Sequence, residues 1–113
     1  MPGRTITDVD VLQQYIAGVM DRADHHAGNV NEVCLAIAGA LVWRKSGDIQ
    51  VYERQGNMAN ALWVTINGDR YAVAYNHETG KIEIRENNMR GDVLREFDNT
   101  DSAADVRIYF ASL

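Results

Sequence analysis

The sequence predicts an α+β fold with two N-terminal helices, a four- to five-stranded antiparallel β-meander, and a C-terminal helix packed on one face of the sheet. Two observations predict this class. Apolar residues recur with a helical period in the first part of the chain and with a period of two from Ile49 onward. Asn67-Gly68, a strong two-residue hairpin signal, separates two alternating segments. The only proline is Pro2 and no repeat is visible, so residues 1–113 are predicted to form one domain.

The first helix is predicted to begin after Thr7, which can cap it with Asp10 as the returning carboxylate. Its apolar residues recur at steps of three and four and make one stripe: Val9, Leu12, Ile16, Val19 and Ala23. The helix is expected to end near Gly28, which permits a left-handed exit.

A second helix is predicted to follow at once, because Asn29 and Glu32 have the spacing of a capping box. From Val33 to Trp43 there is no polar side chain. A helix that is apolar on all sides is typical of a buried helix, so we expect a curled sheet to enclose it. The small residues Ala36, Gly39 and Ala40 allow another element to approach its backbone closely. Cys34 lies in this helix and is expected to be an inert, buried thiol.

Alternation predicts five strands, at Ile49–Arg54, Met58–Ile66, Asp69–Asn76, Lys81–Glu86 and Val93–Phe97. The two-residue turn pairs Ile66 with Asp69 and thereby fixes which side chains of the hairpin share a face. One face is bulky: Leu62, Val64, Ile66, Tyr71, Val73 and Tyr75. The other face is small apart from Trp63, so we expect a helix to lie close to it. The bulky face is then either a second core layer or an interface. Lys81, Glu83 and Arg85 are expected to face solvent.

The C-terminal segment fits two patterns. Ser102 and Asp105 have capping-box spacing and precede a helical stripe of Ala103, Val106, Phe110 and Leu113. Val106, Ile108 and Phe110 also alternate with Arg107 and Tyr109, as in a strand. We favour the helix because the cap signals directly precede it.

Charge and composition exclude several classes of protein. The net charge of −5 argues against nucleic-acid binding, which usually needs a basic surplus. No apolar run approaches the length of a membrane span, and the N-terminus lacks the apolar core of a signal peptide. We therefore expect a cytoplasmic protein that binds neither nucleic acid nor membrane.

Aromatic and apolar residues of the hairpin region are the main candidates for an interface or a pocket: Tyr52, Met58, Leu62, Trp63, Val64, Tyr71, Val73 and Tyr75. Tyr and Trp are enriched where one end of a ring is buried and the other is wet. The alternative is that these residues form ordinary core.

Asp21, His25 and His26 are weak candidates for acid–base chemistry, because Asp21 and His25 share a helix face. The alternative is a polar helix end. No third metal ligand, phosphate loop or serine nucleophile elbow is visible. We therefore assign no catalytic residue, metal or cofactor, and the missing motifs favour a protein that is not an enzyme.

From about Val30 to Leu113 the chain resembles the small proteins of unknown function carried on bacterial integron gene cassettes, a class of mobile gene element. The resemblance rests on Asn31-Glu32-Val33 entering an apolar helix, on Trp63, Asn67-Gly68, Tyr71 and Thr79-Gly80 in the meander, and on a short closing helix. It implies a bacterial origin, a compact α+β fold and frequent homo-oligomerisation. It implies no catalytic residue.

Three functions follow as hypotheses. The first is an accessory protein that acts by binding, as a homodimer with a protein partner or a small ligand. The second is a ligand-binding or enzymatic pocket in a curled-sheet fold of the cystatin-like or nuclear-transport-factor-like kind, lined by Trp63, Tyr52 and a histidine. The third is an acidic immunity or antitoxin protein, because a negative net charge favours association with a basic toxin.

Overall fold

The computed structural model describes residues 3–6, 13, 17, 30–54, 57–76 and 78–113, with the side chains of all except 3–6, 52–54 and 57–60. The strands of this part of the chain are β1 (Gly3–Ile6), β2 (Ile49–Arg54), β3 (Asn57–Ile66), β4 (Asp69–Asn76), β5 (Lys81–Glu86) and β6 (Val93–Phe97). They form one antiparallel sheet in sequence order. Two helices have both ends within the described residues, α1 (Asn31–Arg44) and α2 (Ala103–Ala111). The predicted α+β class is confirmed.

The N-terminal region differs from the prediction. β1 was not predicted, because four residues are too few to show a periodic pattern, so the sheet has six strands instead of four or five. The helix predicted as the second one is α1, which lies in mid-chain between β1 and β2. Gln13 and Ala17 of the first predicted helix are helical and exposed. Its predicted cap at Thr7, its apolar stripe and its end at Gly28 lie outside the described residues.

The turn between β3 and β4 has the predicted conformation. Asn67 and Gly68 have φ angles of 51° and 87°, the two positive values that a type I′ turn requires. Ile66 therefore pairs with Asp69, and the pairs that follow alternate between the two faces as predicted. The local chemistry of this turn sets the register of the central hairpin.

The bulky face of the hairpin is a core layer. Its side chains join one apolar cluster with residues from β5, β6 and both helices: Val33, Ile37, Leu41, Leu62, Val64, Val73, Ile82, Ile84, Phe97, Val106 and Phe110. The expectation that a helix would lie on the small face is thus wrong for α1 and α2. Packing helices on the larger side chains removes more apolar surface from water.

The opposite face of the sheet is buried at its centre, although Gln50 and Arg70 on the same face are exposed. Ala61, Trp63, Ala72 and Ala74 are all nearly inaccessible to solvent. Glu83, which was expected to face solvent, is only 5% exposed. Its carboxylate accepts hydrogen bonds from Asn76 Nδ2 at 2.9 Å and from Arg85 Nη2 at 2.8 Å. A buried carboxylate is tolerated when it is paired in this way.

The C-terminal segment is a helix, as preferred from the cap signals. Asp105 N donates to Ser102 Oγ at 3.0 Å, and Ser102 N donates to Asp105 Oδ2 at 2.9 Å, which completes the predicted capping box. The ring centroid of Phe97 lies 6.5 Å from that of Phe110 and 5.7 Å from that of Tyr109. These ring contacts attach α2 to strand β6.

The N-terminus of α1 is capped from far along the chain. Its N-cap residue is Val30 instead of the predicted Asn29, and no side chain among the described neighbouring residues caps it. The side chain of Asn29, the other half of the predicted capping box with Glu32, lies outside the described residues. Asn99 Oδ1 instead accepts hydrogen bonds from the N–H groups of Glu32 at 3.1 Å and Val33 at 3.0 Å. At the other end, Arg44 Nε donates to the carbonyl oxygen of Phe110 at 3.1 Å. These contacts fasten both ends of α1 to the C-terminal part of the chain.

We predict that Asn99→Ala lowers the free energy of unfolding by about 1–2 kcal/mol, because two N–H groups of α1 lose their acceptor. Asn99→Asp keeps an acceptor oxygen and should lose less. Urea unfolding followed by circular dichroism measures both values.

The matched control is Asn88→Ala. Asn88 Oδ1 accepts from Arg90 N, two residues away in a loop, so its removal should cost less than about 0.5 kcal/mol. Equal losses for Asn88→Ala and Asn99→Ala would contradict a special role for the long-range cap.

Candidate functional site

One face of α1 is apolar and exposed. Leu35, Gly39, Val42 and Trp43 follow helical spacing and lie on one side of the helix, and we call them the outer stripe of α1. Leu35 is 56% exposed, Val42 45% and Trp43 56%. The expectation that this helix is buried on all sides is therefore wrong. The inner side alone packs into the core, through Val33, Ile37, Ala40 and Leu41.

Gly39 lies at the middle of the outer stripe. A methyl group placed at its Cβ position would have no neighbour within 4 Å among the described residues beyond its own stretch of helix. A glycine in a helix interior costs roughly 0.5–1 kcal/mol relative to alanine. The described packing of the chain thus gives no reason for glycine here. Its lack of a side chain leaves the centre of the stripe flat.

Charged residues lie at both ends of α1. Glu32 is exposed in the first turn of α1, three residues before Leu35 and on the same side. Lys45 is exposed just after the last turn, and its Nζ donates to the carbonyl oxygen of Gly47 at 3.2 Å. Arg44 Cζ lies 5.5 Å from the ring centroid of Trp43. Glu32 is thus on the side of the outer stripe, whereas Lys45 follows the buried Leu41 by four residues and is not on that side.

The structure places most of the predicted interface or pocket residues in the core. Leu62, Val64, Tyr71 and Val73 belong to the apolar cluster, and Tyr75 is half-buried against it. These side chains pack against their own chain. The side chains of five further candidates lie outside the described residues: Tyr52, Met58, Asp21, His25 and His26.

Trp63 and Val64 are predicted candidates that line one pocket. The pocket has a volume of about 230 Å³ and is lined by Asp48, Gln50, Trp63, Val64, Thr65 and Arg70. Trp63 is 3% exposed, and its indole Nε1 has no hydrogen-bond partner in the described part of the structure. Arg70 is exposed, with its Cζ 5.7 Å from the Trp63 ring centroid. What we call the Trp63 pocket thus combines the donors of Trp63 and Arg70 with the carboxylate of Asp48.

A second pocket of about 360 Å³ lies beside Tyr71 and is lined by Asp69, Arg70, Tyr71, Glu86, Asn87 and Leu94. Burial raises the pKa of Tyr71, and the nearby carboxylates of Asp69 and Glu86 raise it further. The phenol thus stays protonated at neutral pH and is not an activated nucleophile or base.

Metal and membrane sites have no support in the described residues. Over the ranges that the structure describes, no three His, Cys, Asp or Glu side chains are grouped so that they could hold a metal ion. Within the same ranges, no helix combines the length and apolar character that crossing a membrane requires.

Comparison with known proteins identifies one family. The family model described as "Integron cassette protein VCH_CASS1 chain" matches residues 12–107. The matched stretch contains α1 with its outer stripe, strands β2–β6 and the Trp63 pocket. No curated protein matches the chain.

We predict that Cys34 reacts slowly with thiol reagents in the native protein at pH 8, because burial raises its pKa from about 9 to about 11. The rate of labelling of the native protein should rise as pH approaches 11, and denaturation at pH 8 should make labelling fast. The folded state binds the proton of the Cys34 thiol more tightly than the unfolded state does. The contribution of this difference to the free energy of unfolding is therefore present below pH 9 and is lost as pH rises toward 11. Fast native labelling at pH 8 would contradict the burial of the thiol.

Proposed function

This chain belongs to the integron cassette protein family, and we propose that it is a non-enzymatic accessory protein of the bacterial cytoplasm that acts by binding. Two copies form a homodimer through the outer stripe of α1. The dimer in turn binds a protein partner or a small ligand. The observation that carries the proposal is the exposure of Leu35, Val42 and Trp43 on one face of a single helix.

The composition of the stripe supports a binding role. Large apolar side chains that are exposed together on one face mark interaction sites more often than isolated ones do. Tryptophan is among the residues that contribute most to binding free energy at protein interfaces. Trp43 is also held in place, because the guanidinium of Arg44 lies against its ring while Arg44 Nε is bonded to Phe110 O.

A second copy of the chain fits this surface. Homodimers with two-fold symmetry use one self-complementary patch on both subunits. The outer stripe meets this requirement because its flat centre at Gly39 is flanked on both sides by apolar side chains, Leu35 before it and Trp43 after it. Each half of the stripe can pack against the other half of a second stripe.

We predict that light scattering at two protein concentrations gives a mass of twice 12.6 kDa for the wild-type chain at the higher concentration. Val42→Glu should move the mass toward that of one chain, because association would bury an unpaired carboxylate. Sedimentation equilibrium should show a dissociation constant at least about tenfold larger for the variant.

Ile108→Glu is the matched control, because Ile108 is a β-branched residue near the C-terminus of α2, 59% exposed and outside the stripe. Both variants introduce a carboxylate at an exposed position close to a helix end, so their effects on folding should be similar. Unchanged self-association in Val42→Glu, or equal weakening in both variants, would refute the role of the outer stripe.

A second candidate function is binding of a small ligand in the Trp63 pocket. The buried indole N–H, which has no partner among the described residues, favours it, because such groups are rare in folded proteins and often mark the place of an acceptor. Arg70 at the rim and the side chains of Gln50 and Thr65 add further donors. We propose a planar carboxylate as the ligand, since the guanidinium of Arg70 can bind it with two parallel hydrogen bonds on the side of the pocket away from the like charge of Asp48.

Fluorescence tests this candidate. Trp43→Phe leaves Trp63 as the single tryptophan of the chain. We predict that benzoate changes its emission in a saturable manner and that Arg70→Gln weakens this effect at least about tenfold. Arg107→Gln, on the exposed surface of α2, should leave it unchanged. The absence of a saturable change would count against the pocket as a carboxylate site.

A further inference from the structure

We infer that the ligand of the Trp63 pocket is a zwitterion, a small amino acid that carries an ammonium group as well as its carboxylate. This inference rests on the small-ligand function proposed for the pocket, and it adds the class of ligand and the residue that selects it. The juxtaposition that carries it is a guanidinium, Arg70, and a carboxylate, Asp48, on one cavity. Within the part of the chain that the structure describes, these two groups form no ion pair with each other.

The register of the sheet holds the two charges on opposite sides of β3. Arg70 of β4 pairs with Thr65 of β3. Gln50 of β2 pairs with Trp63 of β3. Asp48 lies two residues before Gln50, so the same register places it level with Thr65. Two strands that flank a third are about 10 Å apart, and the carboxylate and the guanidinium therefore come from opposite walls of the pocket.

Trp63 lies on β3, between these two walls. It is 3% exposed, and the Cζ atom of Arg70 is 5.7 Å from its ring centroid. A guanidinium beside an aromatic ring is attracted to the ring electrons and still has several N–H groups for a carboxylate. We therefore place the carboxylate of the ligand at Arg70 and its ammonium group at Asp48, across the pocket.

Asp48 selects against a simple anion. Its carboxylate repels a ligand that carries only negative charge, and the net charge of −5 of the whole chain acts in the same direction. An ammonium group on the ligand replaces this repulsion by attraction, and complementary charges of this kind determine specificity. The volume of about 230 Å³ corresponds to roughly eight water molecules, which limits the ligand to a small amino acid.

Matched ligands test the inference. 4-(Aminomethyl)benzoate and 4-ethylbenzoate have nearly the same shape, but the first carries an ammonium group where the second carries a methyl group. The corresponding 3-substituted pair places the ammonium group closer to the carboxylate. In calorimetric titration of the wild-type chain at low salt, we expect the aminomethyl compound of at least one pair to bind at least about fivefold more tightly than its ethyl counterpart.

Asp48→Asn tests the residue that selects the charge. The variant keeps the shape of the side chain and removes its charge, so the preference for the aminomethyl compound should fall to within about twofold, and the ethyl compound should bind more tightly than it does to wild type. Glu78→Gln is the matched control. It removes one negative charge from an exposed turn at the end of β4 opposite to Arg70, and it should leave the preference unchanged. A preference that survives in Asp48→Asn would overturn the role of Asp48.

The same titrations separate failure of this inference from failure of the pocket as a ligand site. If the compounds bind and Arg70→Gln weakens them, but neither aminomethyl compound is preferred, the pocket binds carboxylates and the zwitterion is overturned. If none of the four compounds binds, the ligand-binding function proposed for the pocket is overturned together with the inference.

Discussion

The pairing register of the hairpin between β3 and β4 is the constraint on which the other features depend. The turn at Asn67 and Gly68 adopts two positive φ angles, and this geometry admits one pairing of the flanking strands. A shift by one residue would move every side chain of a strand to the opposite face. The apolar cluster under the helices would then lose Leu62 and Val64, and Trp63 would leave the pocket that it now borders.

Contacts made far along the chain hold both ends of α1. Asn99 holds its first turn, and the carbonyl oxygen of Phe110 holds Arg44 in its last turn. With both ends fixed, Val33, Ile37 and Leu41 point into the core, and the remaining side of the helix faces outward. The outer stripe is thus a consequence of how the C-terminal part of the chain positions α1.

The features that could be predicted from the sequence are those whose cause is local. The hairpin register depends on two residues, and the cap of α2 depends on Ser102 and Asp105, so both were predictable. The cap of α1 comes from Asn99, more than sixty residues away, and no local pattern indicates it. The exposure of Leu35 and Trp43 was missed for a similar reason, because an apolar segment does not reveal how many of its sides the fold covers. Trp63 was identified as a pocket candidate, and it lines a pocket in the structure.

The composition of α1 is explained better by a partner than by the described core. A helix that packs on one side against a sheet needs apolar residues on that side alone, and solvent-facing positions usually carry charged or polar residues that favour the helix. Here the outward positions hold Leu35, Gly39, Val42 and Trp43, and the glycine lowers helix stability without filling any described contact. Two destabilising features, exposed apolar surface and a central glycine, therefore lie on the same face of the helix. Both are offset together if a second helix packs closely on that face, because the glycine permits the approach and the apolar side chains gain burial from it.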